Sequence, residues 1–146
     1  MSTEANKTLV KRYLEECWAR PDLGLVDELV APSIAMYNHP FFPEGIKGAE
    51  RIKRLIANIH SMIPDFWIGI DDMVAEGDRI ALRWTSGGTQ KGEWEDGIPP
   101  TNKQVKWTGI DIYRIVGEKI VELKEVGDGL SLLHQVQALQ TWKPIS

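Results

Sequence analysis

The chain has 146 residues, a length that suits one domain with a sizeable core. Its residues are 42% hydrophobic and 26% charged, and the net charge of −4 argues against a nucleic-acid-binding surface. Cys17 is the single cysteine, which excludes an intrachain disulfide, and no apolar run approaches the roughly 20 residues of a membrane span. The first residues lack the apolar segment of a signal peptide, so we expect a cytoplasmic protein without nucleic-acid or membrane partners.

The first half of the chain predicts three helices. Apolar residues recur at helical spacing over residues 4 to 18. Asp22 is a suitable N-cap for a second helix, which Pro32 is expected to end. Gly48 opens a third helix with an isoleucine-rich stripe, and Pro64 stops it.

The second half of the chain is rich in β-branched and aromatic residues and predicts strands. Including one short strand that follows the second helix, the expected strands are 33–38, 66–75, 79–90, 104–115 and 120–128. A long loop follows the third of these strands, and residues 129–139 predict a short helix. Three helices followed by antiparallel strands indicate the α+β class, in which a curved sheet can form a cone around a pocket.

The last two strands form the most informative hairpin. Gly at the first central position of Gly117-Glu118 favours a two-residue type II′ turn. That turn predicts a register in which Asp111 faces Lys124, Tyr113 faces Glu122 and Trp107 faces Asp128. Since side chains alternate along a strand, all six would project from one sheet face. A cluster of charges among aromatic rings is unusual unless that face lines a cavity.

Asp111 is the leading candidate for acid/base chemistry. Lys124 directly opposite would keep this carboxylate ionised and lower its pKa, which favours a base. The alternative is a cross-strand ion pair that only organises the sheet. Asp128 is the second candidate, although it would also serve as the N-cap of the last helix. His39 could carry protons at a pocket mouth, or it could be an ordinary surface histidine.

Aromatic side chains supply candidate pocket walls. Trp18, Trp84 and Trp107 either line a pocket or fill the core. Tyr13 lies on the apolar stripe of the first helix, where core packing and catalysis are equally compatible with its position. The three histidines are far apart in the sequence and show no metal-ligand spacing, so we expect no metal site.

Several phrases resemble one known family, the SnoaL-like polyketide cyclases of the nuclear-transport-factor-2-like superfamily. The phrases span residues 8 to about 136 and include Asp22-Leu-Gly-Leu-Val-Asp-Glu-Leu-Val-Ala-Pro32, Ala75-Glu-Gly-Asp-Arg-Ile-Ala-Leu-Arg-Trp84 and Thr108-Gly-Ile-Asp-Ile-Tyr-Arg-Ile115. The resemblance implies one domain over residues 1–146: a cone-shaped sheet with three N-terminal helices around a ligand pocket. It also implies dimerisation through the outer sheet face, and aldol-type ring closure with an aspartate as acid/base and no cofactor. Ester cyclases belong to the same group.

The resemblance also places individual residues. Tyr13 and Asp111 lie where ketosteroid isomerase, a more distant relative, has its two oxyanion donors, and the isomerase base falls near Asn38 and His39. The chain has Gln90 where many members have histidine, and Lys124 where they have tryptophan.

We therefore expect a cofactor-independent cyclase or isomerase that acts on a small hydrophobic, polyketide-like carbonyl compound. The catalytic candidates are Asp111, Asp128 and His39. The expected substrate-binding residues are Tyr13, Trp18, Asn38, Trp84, Gln90, Trp107, Tyr113 and Lys124. The alternative is a non-catalytic ligand-binding or assembly protein of the same fold, which the departures at Gln90 and Lys124 favour.

Overall fold

The structure, a computed structural model, describes residues 2–37, 42, 44–93 and 97–136. Within these residues, helices pack against one curved, open sheet of six strands, and the predicted α+β class is confirmed. In this described part of the chain, no helix is both long enough and apolar enough to cross a bilayer.

Each helix begins directly after a polar or glycine residue, as predicted for Asp22, Gly48 and Asp128. α1 (Thr3–Arg12) starts after Ser2 and continues as a π-helical segment, Tyr13–Trp18. In α2 (Leu23–Leu29) the N-cap is confirmed, since the Asp22 side chain accepts a hydrogen bond from the backbone N–H of Leu25. α2 ends before the predicted Pro32 because the chain enters the sheet at Val30. The remaining helices are α3 (Ala49–Met62) and α4 (Gly129–Gln135).

The six strands form a mixed sheet. They are β1 (Val30–Tyr37), β2 (Ile46–Lys47), β3 (Trp67–Glu76), β4 (Arg79–Thr89), β5 (Gln104–Val116) and β6 (Lys119–Gly127), in the spatial order β2-β1-β6-β5-β4-β3. β1 runs parallel to β6, whereas the other neighbouring pairs are antiparallel. The parallel pair differs from the predicted all-antiparallel sheet, because it joins segments that are distant in sequence. β2 was not predicted, since two residues are too short to show an alternating pattern.

The register of the β5–β6 hairpin differs from the prediction. Gly117 and Glu118 both have positive φ angles, 56° and 64°, as in a type I′ turn rather than the expected type II′ turn. The pairing of Ile115 with Ile120 agrees with the prediction, but the register then shifts, and Asp111 pairs with Glu125. Val121 is the extra residue of this β-bulge. One extra residue reverses the faces of the rest of β6, so the predicted Asp111–Lys124 pair is wrong.

The core lies between the helices and the concave face of the sheet. Its buried side chains alternate along the strands, as Ile80, Leu82 and Trp84 do in β4. The opposite face of the sheet is exposed, and its outward residues include Ile110 and Ile112. α1 contacts β3 and β4 in this arrangement, and α4 contacts β5.

Candidate functional site

A cavity of about 180 Å³ lies between the concave face of the sheet and the helices. Its walls are mainly apolar and aromatic, and its lining includes Leu14, Trp18, Leu55, Ile59, Met62, Phe66, Ile68, Trp84, Trp107 and Leu132. The polar side chains that reach it include Tyr13, Asn58, Ser86, Asp111, Tyr113 and Glu125. A few polar groups in an otherwise apolar cavity are typical of small-molecule sites.

Asp111 is buried at this cavity, with 2% of its surface exposed. The Trp84 indole N–H donates a hydrogen bond to Asp111 Oδ1 over 2.9 Å. The Tyr113 hydroxyl donates to Asp111 Oδ2 over 2.6 Å. Both donors stabilise the ionised carboxylate and therefore lower its pKa, but burial opposes them and has the larger effect. The net result raises the pKa of Asp111 from 3.8 to about 6.

Glu125 reaches Asp111 from the neighbouring strand, and the two carboxyl groups share a hydrogen bond. Burial and the adjacent Asp111 charge raise the pKa of Glu125 well above its usual range. Glu125 therefore holds the shared proton and donates it, while Asp111 is the ionised acceptor. Two carboxyl groups with separated pKa values can act as a base and an acid near neutral pH.

Trp84 reaches Asp111 because β5 has a glycine directly beside it. Trp84 and Gly109 are paired across β4 and β5. A Cβ atom at position 109 would lie 2.2 Å from Cζ2 of the indole, which is impossible without displacement. The Trp84 ring therefore occupies the volume that a side chain at position 109 would fill.

Two buried hydroxyl groups reach the cavity, those of Tyr13 and Ser86. Tyr13, in the π-helical segment, is fully buried and packs edge-on against Tyr113, with ring centroids 6.1 Å apart. The Ser86 hydroxyl makes no hydrogen bond within the described residues. The Tyr13 oxygen has the indole N–H of Trp18 close enough to lower the pKa of the phenol, but the Tyr13 hydroxyl donates to no acceptor among these residues. Burial raises the pKa of the Tyr13 phenol, so it remains a neutral donor. Unpartnered buried hydroxyls in a cavity are candidate contacts for a ligand.

The structure brings together six of the predicted site residues. Those that line the cavity are Tyr13, Trp18, Trp84, Trp107, Asp111 and Tyr113. Asn38 and His39 lie outside the described residues.

Three predicted residues do not line the cavity. Lys124 is on the outer face of β6 because the bulge at Val121 reverses the direction of its side chain. Its Nζ atom lies 3.8 Å from Oε1 of Glu122. Asp128 is exposed and accepts a hydrogen bond from the backbone N–H of Ser131, so it caps α4. Gln90 is buried in the loop that follows β4.

The Gln90 side chain stabilises this loop. Its amide donates to the carbonyl oxygens of Gly92 and Pro99, and its oxygen accepts from the backbone N–H and the hydroxyl of Thr101. Every polar atom of the Gln90 side chain is thus engaged within the loop, away from the cavity lining.

Glu125, Ser86 and Asn58 line the cavity but were not predicted from the sequence. A signal for Glu125 was present: Ile120 and Leu123 are both apolar, although an unbroken strand would place them on opposite faces. A bulge between them puts both in the core and turns Glu125 inward with them. Ser86 follows Trp84 by two residues and therefore shares its strand face, but a single serine gives no chemical signal by itself.

The described residues show no site for a metal: no group of three or more His, Cys, Asp or Glu side chains among them is arranged to hold an ion. The polar groups that reach the cavity include a carboxylate, a carboxylic acid, two phenols, an alcohol and the Asn58 amide.

The fold and site define a small α+β domain with two hydrogen-bonded carboxyl groups at an apolar cavity. A model of the SnoaL-like polyketide cyclase family matches residues 8–136, and the chain belongs to this family. No curated protein matches it.

Solved structures of similar proteins share the fold. A protein from Jannaschia sp. CCS1, provisionally named a SnoaL-like polyketide cyclase, is 20% identical to this chain and superposes on it with a TM-score of 0.83. The match covers 93% of this chain and 94% of the Jannaschia protein. AclR from Streptomyces galilaeus, provisionally named a hydroxylase, is 28% identical over 98% and 87% of the two chains, with a TM-score of 0.83. TsrD from Streptomyces laurentii is 26% identical over 95% and 99%, also with a TM-score of 0.83.

Proposed function

We propose that this protein is a cofactor-independent cyclase or isomerase that acts on a small hydrophobic, polyketide-like carbonyl compound. One observation carries the proposal: Asp111, with its pKa raised to about 6, shares a hydrogen bond with protonated Glu125 beside an apolar cavity. Family membership supports the same class of reaction.

In the proposed reaction, Asp111 is the general base. A carboxylate with a pKa of about 6 is mostly ionised at neutral pH, yet it is more basic than an exposed aspartate. It would remove a proton from the carbon next to a substrate carbonyl. The electron pair of that C–H bond then forms an enolate, which attacks a second carbonyl of the same molecule and closes a ring. The new alkoxide takes up a proton from the Asp111–Glu125 pair, so the protons balance over one turnover.

Tyr13 is the proposed donor to the enolate oxygen. Its hydroxyl is buried and neutral, and its neighbour, the Trp18 indole N–H, is itself a donor, so the Tyr13 proton remains available as negative charge develops. Its ring contacts that of Tyr113, which donates to Asp111. The donor and the base are therefore on adjacent parts of the cavity wall.

The alternative is a protein that binds an apolar ligand without changing it. The hydrogen bonds to Asp111 favour this alternative, because three donors, Trp84, Tyr113 and Glu125, already stabilise the carboxylate. A base in that state must lose some of this stabilisation before it accepts a proton. The two functions share the cavity and differ in whether a bound carbon acid exchanges its proton.

The test is proton exchange in D₂O, followed by NMR, with a panel of aromatic β-diketones and their enol esters. We expect the parent protein to accelerate exchange of the acidic C–H group of at least one compound. Asp111→Asn keeps the shape of the side chain and removes the proton acceptor, so exchange should fall by roughly 10²–10⁴-fold. Binding of the same compound, measured by tryptophan fluorescence, should change little.

Asp128→Asn is the matched control. It makes the same chemical change on an exposed residue, and asparagine also caps helices well. Exchange should therefore stay at the parent rate. If Asp111→Asn exchanges as fast as the parent, Asp111 is not the base; if compounds bind and none exchanges, the ligand-binding alternative is correct.

A further inference from the structure

The cavity has a second polar position, far from Asp111 along the sheet. In the register of β4 and β5, Asp111 lies opposite Leu82, and Ser86 lies opposite Trp107. Leu82 and Ser86 are four residues apart in β4, which corresponds to about 13 Å along the strand. Both side chains line the same cavity, so it extends between them.

The Ser86 hydroxyl is an unpartnered polar group at that far position. Only 1% of the residue's surface is exposed, and its Oγ atom has no hydrogen-bond partner within the described residues. A buried hydroxyl without a partner destabilises a folded protein, whereas alanine at this position would avoid that cost. A serine is therefore useful here if a ligand supplies the missing partner.

The wall between the two polar positions is aromatic and apolar. It includes Trp84, Trp107 and Phe66, and the Phe66 and Trp107 rings lie 6.1 Å apart. Flat rings on a cavity wall favour a flat, apolar ligand body. The ligand would place its reacting carbonyl at Asp111 and a polar atom at Ser86.

We propose that Ser86 is a specificity-determining residue that binds a hydroxyl or carbonyl oxygen at the far end of an elongated, aromatic ligand. The inference deepens the proposed function, because it concerns the ligand of the same cavity, but it requires binding alone and no turnover. A ligand with an oxygen at each end should therefore bind more tightly than one with an oxygen at only one end.

The probes are 2,6-dihydroxyanthraquinone and 2-hydroxyanthraquinone, which differ by one hydroxyl at the far end of the same ring system. Binding is measured by quenching of tryptophan fluorescence, since Trp84 and Trp107 line the cavity. We expect the parent protein to bind the dihydroxy compound about 5- to 10-fold more tightly, as one additional hydrogen bond allows. In Ser86→Ala this ratio should fall to about 1.

Ser33→Ala is the matched control, because Ser33 is an exposed serine of β1 and does not line the cavity. It should keep the parent ratio. Equal binding of the two compounds by the parent, binding of neither, or an unchanged ratio in Ser86→Ala would overturn the proposal.

A measurement without ligand tests the premise independently. If the Ser86 hydroxyl has no partner in the free protein, Ser86→Ala should melt at the same temperature as the parent or higher. A clear decrease in melting temperature would show that the hydroxyl is already bonded within the protein, and it would contradict the proposal. The proton-exchange assay with Asp111→Asn reports on catalysis only, so failure of one proposal is distinguishable from failure of the other.

Discussion

At the scale of single residues, the environment of Asp111 determines what the site can do. Its carboxylate is surrounded by neutral donors, from Trp84, Tyr113 and Glu125, rather than by a cation. A lysine would have lowered the pKa of this group, whereas burial among neutral donors raises it. The result is a stronger base that is still ionised at neutral pH.

The pH dependence of proton exchange should report this environment. Exchange needs ionised Asp111, so the rate should rise with pH and level off above about 6. Tyr113→Phe removes a donor that lowers the pKa of Asp111, and the rising part of the profile should move up by about one pH unit. Tyr37→Phe, at an exposed tyrosine of β1, should leave the profile in place. A profile that does not move, or that moves to lower pH in Tyr113→Phe, would contradict the assignment of Asp111 as the base.

The same pKa change should appear in the stability of the protein. The folded state holds a proton on Asp111 up to about pH 6, whereas an unfolded chain releases it near 3.8. The raised pKa of Asp111 therefore adds roughly 3 kcal/mol to the free energy of unfolding below pH 4. This added stability is lost as the pH rises to 6. Urea unfolding of the parent and of Asp111→Asn at several pH values checks this. The free energy of unfolding of the parent minus that of the variant should decrease as the pH rises from 4 to 6. A difference that stays constant or grows with pH would show that the pKa is not raised.

At the scale of elements, two local features aim the side chains of the site. The bulge at Val121 turns Glu125 towards Asp111, and the π-helical segment brings Tyr13 and Trp18 to the cavity. Bulges and π-helical turns both insert a residue into a regular pattern, and both are frequent at functional sites. A third feature, Gly109, provides the space in which the Trp84 ring lies.

Gly109→Ala should displace the Trp84 indole, because the new Cβ atom would lie 2.2 Å from its Cζ2 atom. We expect a loss of about 1–3 kcal/mol in the free energy of unfolding, as for other overpacked sites. The lost indole donor should also raise the pKa of Asp111 further. Gly69→Ala is the matched control, since a Cβ atom at this β3 glycine meets nothing within 4 Å. The free energies of unfolding of the parent, Gly109→Ala and Gly69→Ala are compared by urea unfolding. Equal values for Gly109→Ala and the parent would contradict the packing described for Trp84.

At the scale of the whole molecule, the outer face of the sheet carries an exposed apolar patch. Ile110 and Val126 are directly paired on this face and are 54% and 69% exposed, and Ile112 and Val74 lie nearby at 40% and 61%. An exposed apolar sheet surface favours association. We propose a homodimer through this face.

Sedimentation should therefore give a mass of about twice 16.5 kDa at micromolar concentration. Val126→Lys places a charge at the centre of the proposed interface and should produce monomers, because a lysine buried there without a partner is costly. Leu130→Lys, at an exposed residue of α4, should leave the mass unchanged. A parent protein that sediments as a 16.5 kDa monomer would rule out this interface.

Sequence patterns were sufficient to predict what depends on neighbouring residues. Helical spacing predicted α3, Asp22 was correctly identified as a cap, and alternation along β5 placed Trp107, Asp111 and Tyr113 on one inward face. Together with the family resemblance, these local rules predicted the fold class and the residue at the centre of the site.

The tertiary structure alone decided which groups meet Asp111. The turn residues predicted the first pairs of the β5–β6 hairpin, but one bulged residue, Val121, reversed every later side chain of β6. Strand β6 is also held on its other edge by β1, a parallel neighbour far away in the sequence. Asp111 therefore faces Glu125 instead of Lys124, because the register of a strand is set by its packing on both sides as well as by its turn.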